Sequence, residues 1–226
     1  DANTTGGSNT VLGNDALSAD TQGSRSVAIG TSALEVQNFT TATNTYNVAV
    51  GFNAGVSVST GTNNTAVGGL SLDATTTGTN NTAVGYSSLG ANTTASDNTA
   101  VGAGCLDANS TGTANTAMGS EALGANTTAS NSTAIGVSSL AANTTGDANT
   151  AVGKDSLDSN TTGARNTALG VDALQANTTT NDNVAIGYEA LTLNTAANNT
   201  AVGKGSLAAN TTGTQNTAVG AESLDA

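Results

Sequence analysis

Any chemistry done by this chain has to come from a short list of side chains. Its 226 residues include no His, one Cys, four Lys or Arg and sixteen Asp or Glu. Asp15, Asp155 and Asp172 share one phase of an internal repeat, as do Glu121, Glu189 and Glu222. All six sit two residues after a closing Gly, and Asp155, Asp172 and Glu189 fall in successive coils; they read as solvated charges, and no nucleophile stands beside a base. An enzyme is not expected, and no cofactor is implied. Repeated calcium sites would need a G-G-x-G-x-D pattern, which is missing. The glycine-rich turns lack the Lys and the strand–loop–helix context of a phosphate cradle. Four basic residues are too few for a phosphate-binding patch, which excludes nucleic acid as a partner. Cys105 occupies a column otherwise filled by Ala or Ser (Ala16, Ser71, Ser88, Ala122, Ser139, Ala173), and reads as a small buried side chain.

The elements that carry these residues follow from one recurring phrase. Asn64-Thr65-Ala66-Val67-Gly68 returns, with variations, thirteen times. Ten of the twelve spacings between its closing glycines are identical, as from Gly68 to Gly85 and from Gly136 to Gly153, and define a 17-residue repeat. The exceptions are 21, from Gly30 to Gly51, and 16, from Gly187 to Gly203. A fixed period this short indicates a solenoid in which each repeat is one coil stacked on the next. The expected fold is all-β: a parallel β-solenoid of thirteen 17-residue coils, forming a single repeat domain over 1–226 with an irregular insertion at 35–60. Charged residues make up 9% of the chain, against about 25% in an average globular protein. Strict aliphatic columns argue against disorder despite this low complexity. No apolar run approaches the ~20 residues of a membrane span, so this segment is not expected to insert into a membrane. No signal peptide is visible at Asp1. Asp1-Ala2 and Asp225-Ala226 share a repeat phase, as if the segment were cut from a longer array.

Each coil reads N-T-A-V-G-x-x-[AS]-L-x-x-N-T-T-G-x-x. The glycines at the coil turns (Gly68, Gly85, Gly102, Gly119, Gly136, Gly153, Gly170, Gly187, Gly203 and Gly220) call for a positive φ or a close backbone approach. The residue before each is aliphatic, and the one before that is Ala in twelve of thirteen copies. Alternation puts these two columns on opposite faces of a strand. We expect the aliphatic column and the Leu column (Leu72, Leu89, Leu157 and equivalents) to fill the coil, and the Ala column to face another backbone. So thin a core favours oligomerisation. N-T-T is expected to be a second strand, with an Asn amide ladder and Thr hydrogen bonds between rungs. The other Asn column (Asn64, Asn81, Asn149) is expected to satisfy turn backbone. The rhythm breaks at 35–60, where Val58-Ser59-Thr60 replaces N-T-T and Phe39, Tyr46 and Phe52 cluster. These three aromatics are the candidate ligand contacts; the alternative is that they pack over a gap left by Gly55.

The phrase N-T-A-V-G-x-x-[AS]-L with N-T-T-G resembles the head repeats of trimeric autotransporter adhesins, the YadA-type β-roll. Ser26-Val27-Ala28-Ile29-Gly30 is close to the S-V-A-I-G phrase of those shorter repeats. It is also similar to the arrays of phage tail fibres and bacterial surface proteins that precede a self-cleaving trimerisation chaperone. The resemblance covers the whole chain. It implies a left-handed roll, a homotrimer with inner strands facing a three-fold axis, and an extracellular location on a cell surface or a virion fibre. The trimer interface would then be the Ala column: Ala66, Ala83, Ala100, Ala117, Ala134, Ala151, Ala168, Ala185, Ala201 and Ala218. The function it implies is a non-enzymatic structural and adhesive segment used for attachment, whose partners are further copies of itself and a host-surface receptor or glycan. Two alternatives differ in class. An ice-binding solenoid would need two regularly spaced Thr columns on a flat face, whereas adjacent threonines of one strand point apart. A self-assembling extracellular filament subunit would use matching end phases to stack.

Overall fold

A three-residue strand is the longest regular element this sequence builds, because Gly ends every T-A-V phrase and a turn follows. The computed structural model describes residues 5–224. The phase match between Asp1-Ala2 and Asp225-Ala226 lies outside those residues. The chain groups into two compact units, Asp1–Ala114 and Asn115–Ala226.

The first unit holds β1 (Thr10–Leu12), β2 (Gly23–Ser24), β3 (Val27–Ile29), β4 (Thr43–Asn44), β5 (Val48–Val50), β6 (Thr65–Val67), β7 (Thr82–Val84) and β8 (Thr99–Val101). Its main sheet runs β1-β3-β5-β6-β7-β8, and β2 pairs with β4 beside the long coil. The second unit holds β9 (Thr116–Met118), β10 (Thr133–Ile135), β11 (Thr150–Val152), β12 (Thr167–Leu169), β13 (Val184–Ile186), β14 (Thr200–Val202) and β15 (Thr217–Val219), paired in that order. All pairing is parallel and in register: Ala66 lies beside Ala83, and Ala134 beside Ala151. Each unit is therefore a parallel β-solenoid whose coils follow the sequence repeat, and no helix occurs among the described residues.

Hydrogen bonds join neighbouring coils well beyond the strands. Asp155 N donates to Val137 O (3.1 Å), Leu157 N to Ala173 O (3.0 Å) and Thr161 N to Thr178 O (2.7 Å). Threading a closed path through so few residues requires left-handed corners. Gly153 has φ +137°, Asp155 +55°, Leu157 +51° and Arg165 +57°, and the other coils repeat this pattern. Each non-glycine left-handed residue costs about 1–2 kcal/mol. The Leu at the second corner is fully buried, which is worth about 1.5–3 kcal/mol and offsets its strain.

The glycine answers both expectations made for it. Its φ is positive, and a Cβ on Gly153 would lie 2.4 Å from the carbonyl oxygen of Gly170 on the next coil. Other corners tolerate a side chain; Gly104 and Gly205 occupy the corner that Ser138 and Asp155 fill elsewhere.

The structure inverts the expected strand faces. The Ala column points into the coil: Ala134, Ala151 and Ala168 are completely covered by their own chain. Val, Ile, Met and Leu one position later point outward, with Met118 42% and Leu169 45% exposed. The interior is therefore Ala and Leu, the Ser/Ala/Cys105 column and two columns of Asn. Branched aliphatics on the inside would have needed a wider coil than one repeat with this many tight corners can enclose. N-T-T is a bend, not a second strand, and its two threonines both reach solvent, as Thr93 and Thr94 do.

The buried polar columns are satisfied. Asn160 Nδ2 donates to Asn143 Oδ1 (2.8 Å) and to Gly163 O (2.9 Å), continuing an amide ladder. Asn149 Nδ2 donates to Gly163 O (2.7 Å), while its Oδ1 accepts from Asn166 N (2.9 Å). Thr hydroxyls donate to the next coil's backbone, as Thr144 Oγ1 does to Thr161 O (3.0 Å). Among the described residues, no buried side-chain nitrogen or oxygen lacks a partner.

Two outcomes test this geometry. Gly153→Ala should destabilise the second unit by on the order of 3 kcal/mol, from a disfavoured φ and a backbone overlap. Ser138→Gly (φ +56°) should instead stabilise it by about 0.5–1 kcal/mol. Denaturant titration of both variants checks the opposite signs.

Candidate interaction surface

The outward residues of each strand are Thr and a branched or linear aliphatic. In the first unit these are Thr10 and Leu12, Val27 and Ile29, Val48 and Val50, Thr65 and Val67, Thr82 and Val84, and Thr99 and Val101. In the second they include Thr116 and Met118, Thr133 and Ile135, Thr150 and Val152, and Thr167 and Leu169. Among the described residues, no charged side chain occupies an outward strand position in either unit, although the chain carries a formal net charge of -12.

The rims of this face are a different matter. One rim is the corner residue immediately before the Asn or Ser that leads into each strand. The other is the residue immediately after the strand's closing Gly. In the first unit Arg25 and Tyr46 stand on the former and Phe52 and Tyr86 on the latter; in the second unit Arg165 stands on the former and Lys154, Tyr188 and Lys204 on the latter. Those eight are all of the chain's Phe, Tyr, Lys and Arg residues except Phe39. All eight are exposed. Each strand face thus carries Thr and aliphatic side chains with no charge, and the chain's exposed aromatic and cationic side chains stand at its edges.

Local contacts fix several rim side chains. The Arg25 guanidinium lies 5.8 Å from the centroid of the Tyr46 ring, and its Nε donates to Asn44 Oδ1 (2.9 Å). Arg165 grips Asp182 with two hydrogen bonds of 2.7 and 2.9 Å, which holds the Asp182 carboxyl below its ordinary value. Lys204 reaches Glu222 at 3.2 Å, and Lys154 pairs with Asp155. A hydrogen bond with Glu189 raises the Tyr188 hydroxyl above its ordinary value. Solvent screens exposed pairs like these, so they orient the rim more than they stabilise the coil.

The aromatics predicted as ligand contacts do not form one site. Tyr46 and Phe52 are 52% and 58% exposed, at opposite rims of β5. Phe39 is buried, with its N donating to Asp20 Oδ1 (3.3 Å) and its O accepting from Thr21 Oγ1 (3.0 Å). The space above Gly55 is taken by Leu34 and Val58, so no aromatic fills it. The Ala column, expected at a chain–chain interface, lies inside its own coil. The rim is the part that sequence reasoning missed. Its signal is present in the chain: rare residue types recur at two phases of the repeat.

Among the described residues no group of three or more His, Cys, Asp or Glu is placed to hold a metal ion. Among the same residues no helix is long and apolar enough to cross a membrane. No protein-family model, no curated protein and no solved structure matches this chain.

Two half-buried carboxylates stand away from the face. Burial raises the pKa of both Asp73 and Asp158, with smaller contributions from Asp107 and Asp155 respectively. A carboxyl whose folded pKa lies above its unfolded value favours the folded state below the unfolded pKa. That contribution is lost as pH rises through the folded pKa. Asp158→Asn should therefore raise stability at neutral pH and lose this advantage below about pH 4. Thermal melts of both proteins on either side of that pH check the sign.

Proposed function

We propose that this chain is a non-enzymatic structural and adhesive segment of an extracellular trimeric fibre, of the surface-adhesin or phage tail-fibre kind, used for attachment. The observation that carries the reading is the uncharged aliphatic strand face with aromatic and cationic rims. A column such as Met118, Ile135, Val152, Leu169 gains nothing from solvent, and the chain's own interior has no room for it. A further copy of the chain presents the same columns at the same rung spacing, so it matches the face coil by coil. Closed rings of identical subunits are the common way to satisfy such a surface. The likeness of Ser26–Gly30 and the N-T-A-V-G phrases to YadA-type heads supports a left-handed roll and three copies. It also supports attachment to a host receptor or glycan, a role for which buried Phe39 is no longer a candidate.

Paired substitutions on one strand test this. Val152→Glu places an uncompensated charge on the outward face and should abolish association while the β-type circular dichroism persists. Ala151→Glu buries a carboxylate without a partner inside the coil and should unfold it. Light scattering that shows Val152→Glu assembling like the parent chain would overturn the reading.

A further inference from the structure

A repeat surface that binds its own copies has a register problem. Sliding one chain by one coil past another replaces each Thr and Val with its equivalent, so the strand face alone barely distinguishes the aligned arrangement from the shifted one. Something outside the repeat pattern has to choose.

We propose that Tyr46 and Phe52 form an inter-chain aromatic pair that sets the register in which copies of this chain associate. The inference rests on the self-association reading above. Both residues belong to one coil, at the two ends of β5, on opposite rims of the face. When identical chains close into a ring with this face turned inward, the leading rim of each meets the trailing rim of the next. Aligned chains then bring Tyr46 of each copy to Phe52 of its neighbour. A one-coil slip sets Tyr46 against Thr31 or Gly69 instead, neither of which offers a ring. A two-coil slip can bring Tyr46 to Tyr86, but it leaves Phe52 unpaired and forfeits two rungs of burial.

Packing within its own coil does not explain Tyr46. It sits at φ +51°, in a column where the preceding coil places Arg25 (+67°) and the following coil Asn63 (+58°). Asn tolerates that conformation and a ring does not benefit from it. The ring remains 52% exposed, with the Arg25 guanidinium over it. Phe52 is likewise 58% exposed, and the next coil holds Gly69 at its position. The left-handed corner is common to every coil; what sets this coil apart is that two large exposed rings end one strand. Aromatic pairs add to an interface beyond the area they bury, and each chain of a ring would supply one such pair.

The test is inter-chain disulfide mapping in a Cys105→Ser background, a substitution that copies Ser71 and Ser88 in the same column. Chains carrying Asp97→Cys are mixed with chains carrying Ala103→Cys, the two rims of the β8 coil, which reports aligned association. Chains carrying Asn80→Cys mixed with Ala103→Cys report a one-coil slip. With Tyr46 and Phe52 present, the aligned cross-link should exceed the shifted one by about ten-fold or more. Tyr46→Asn with Phe52→Gly, the residues used one coil on, should bring the two within about two-fold while the associated mass is kept. An aligned preference that survives the double substitution overturns the inference and leaves self-association intact. A monomeric mass with neither cross-link overturns the self-association reading itself.

Discussion

A coil that advances by one strand spacing per turn sets every residue directly over its own equivalent. Like therefore stacks on like, at every position, in each unit. This constraint decides which residues a column can hold. Charged columns repel along their length, and only 9% of residues are charged, with Asp155, Asp172 and Glu189 forming one short acidic run in successive coils. Amides stack well because each donates to the next, as Asn160 does to Asn143. Glycine stacks where the chain comes closest to itself, with the Gly170 carbonyl standing where a Gly153 Cβ would be.

The same constraint determines what lies inside. A short turn with three or four left-handed corners encloses very little volume. Ala, Leu, Ser and hydrogen-bonded Asn fill it; the Val and Ile of the strands do not enter. Apolar burial per coil is modest, so the continuous backbone ladder and the satisfied amide columns bear much of the cohesion. The larger aliphatics are left on the outside of the strand. The proposed self-association would cover them, through the column next to the Ala column expected from the sequence.

Periodicity makes the solenoid legible, because thirteen glycines at nearly constant spacing leave few other folds. The Asn ladder and the double reason for the glycine are legible too, since stacked amides and a missing Cβ each have one obvious use. The direction of the strand faces is not. Alternation says that Ala66 and Val67 point apart, but not which is inside. Side-chain size favours Val, whereas the tightness of the corners is the deciding quantity and favours Ala. Thr propensity makes N-T-T look like a strand, but the left-handed corners on either side leave it too short to extend. Phe39, Tyr46 and Phe52 are near one another in sequence, although their phases within the coil separate them. Counting rare residues by phase finds the rims, which proximity along the chain does not.

The proposed self-association rests on an inward Ala column, an uncharged outward strand face in each unit, and the aromatic and cationic residues at the rims of those faces. Sedimentation equilibrium of the unmodified chain tests this most directly. The account predicts a single species of three times 21.6 kDa that persists on dilution into the micromolar range. A mass of 21.6 kDa at every concentration would contradict it.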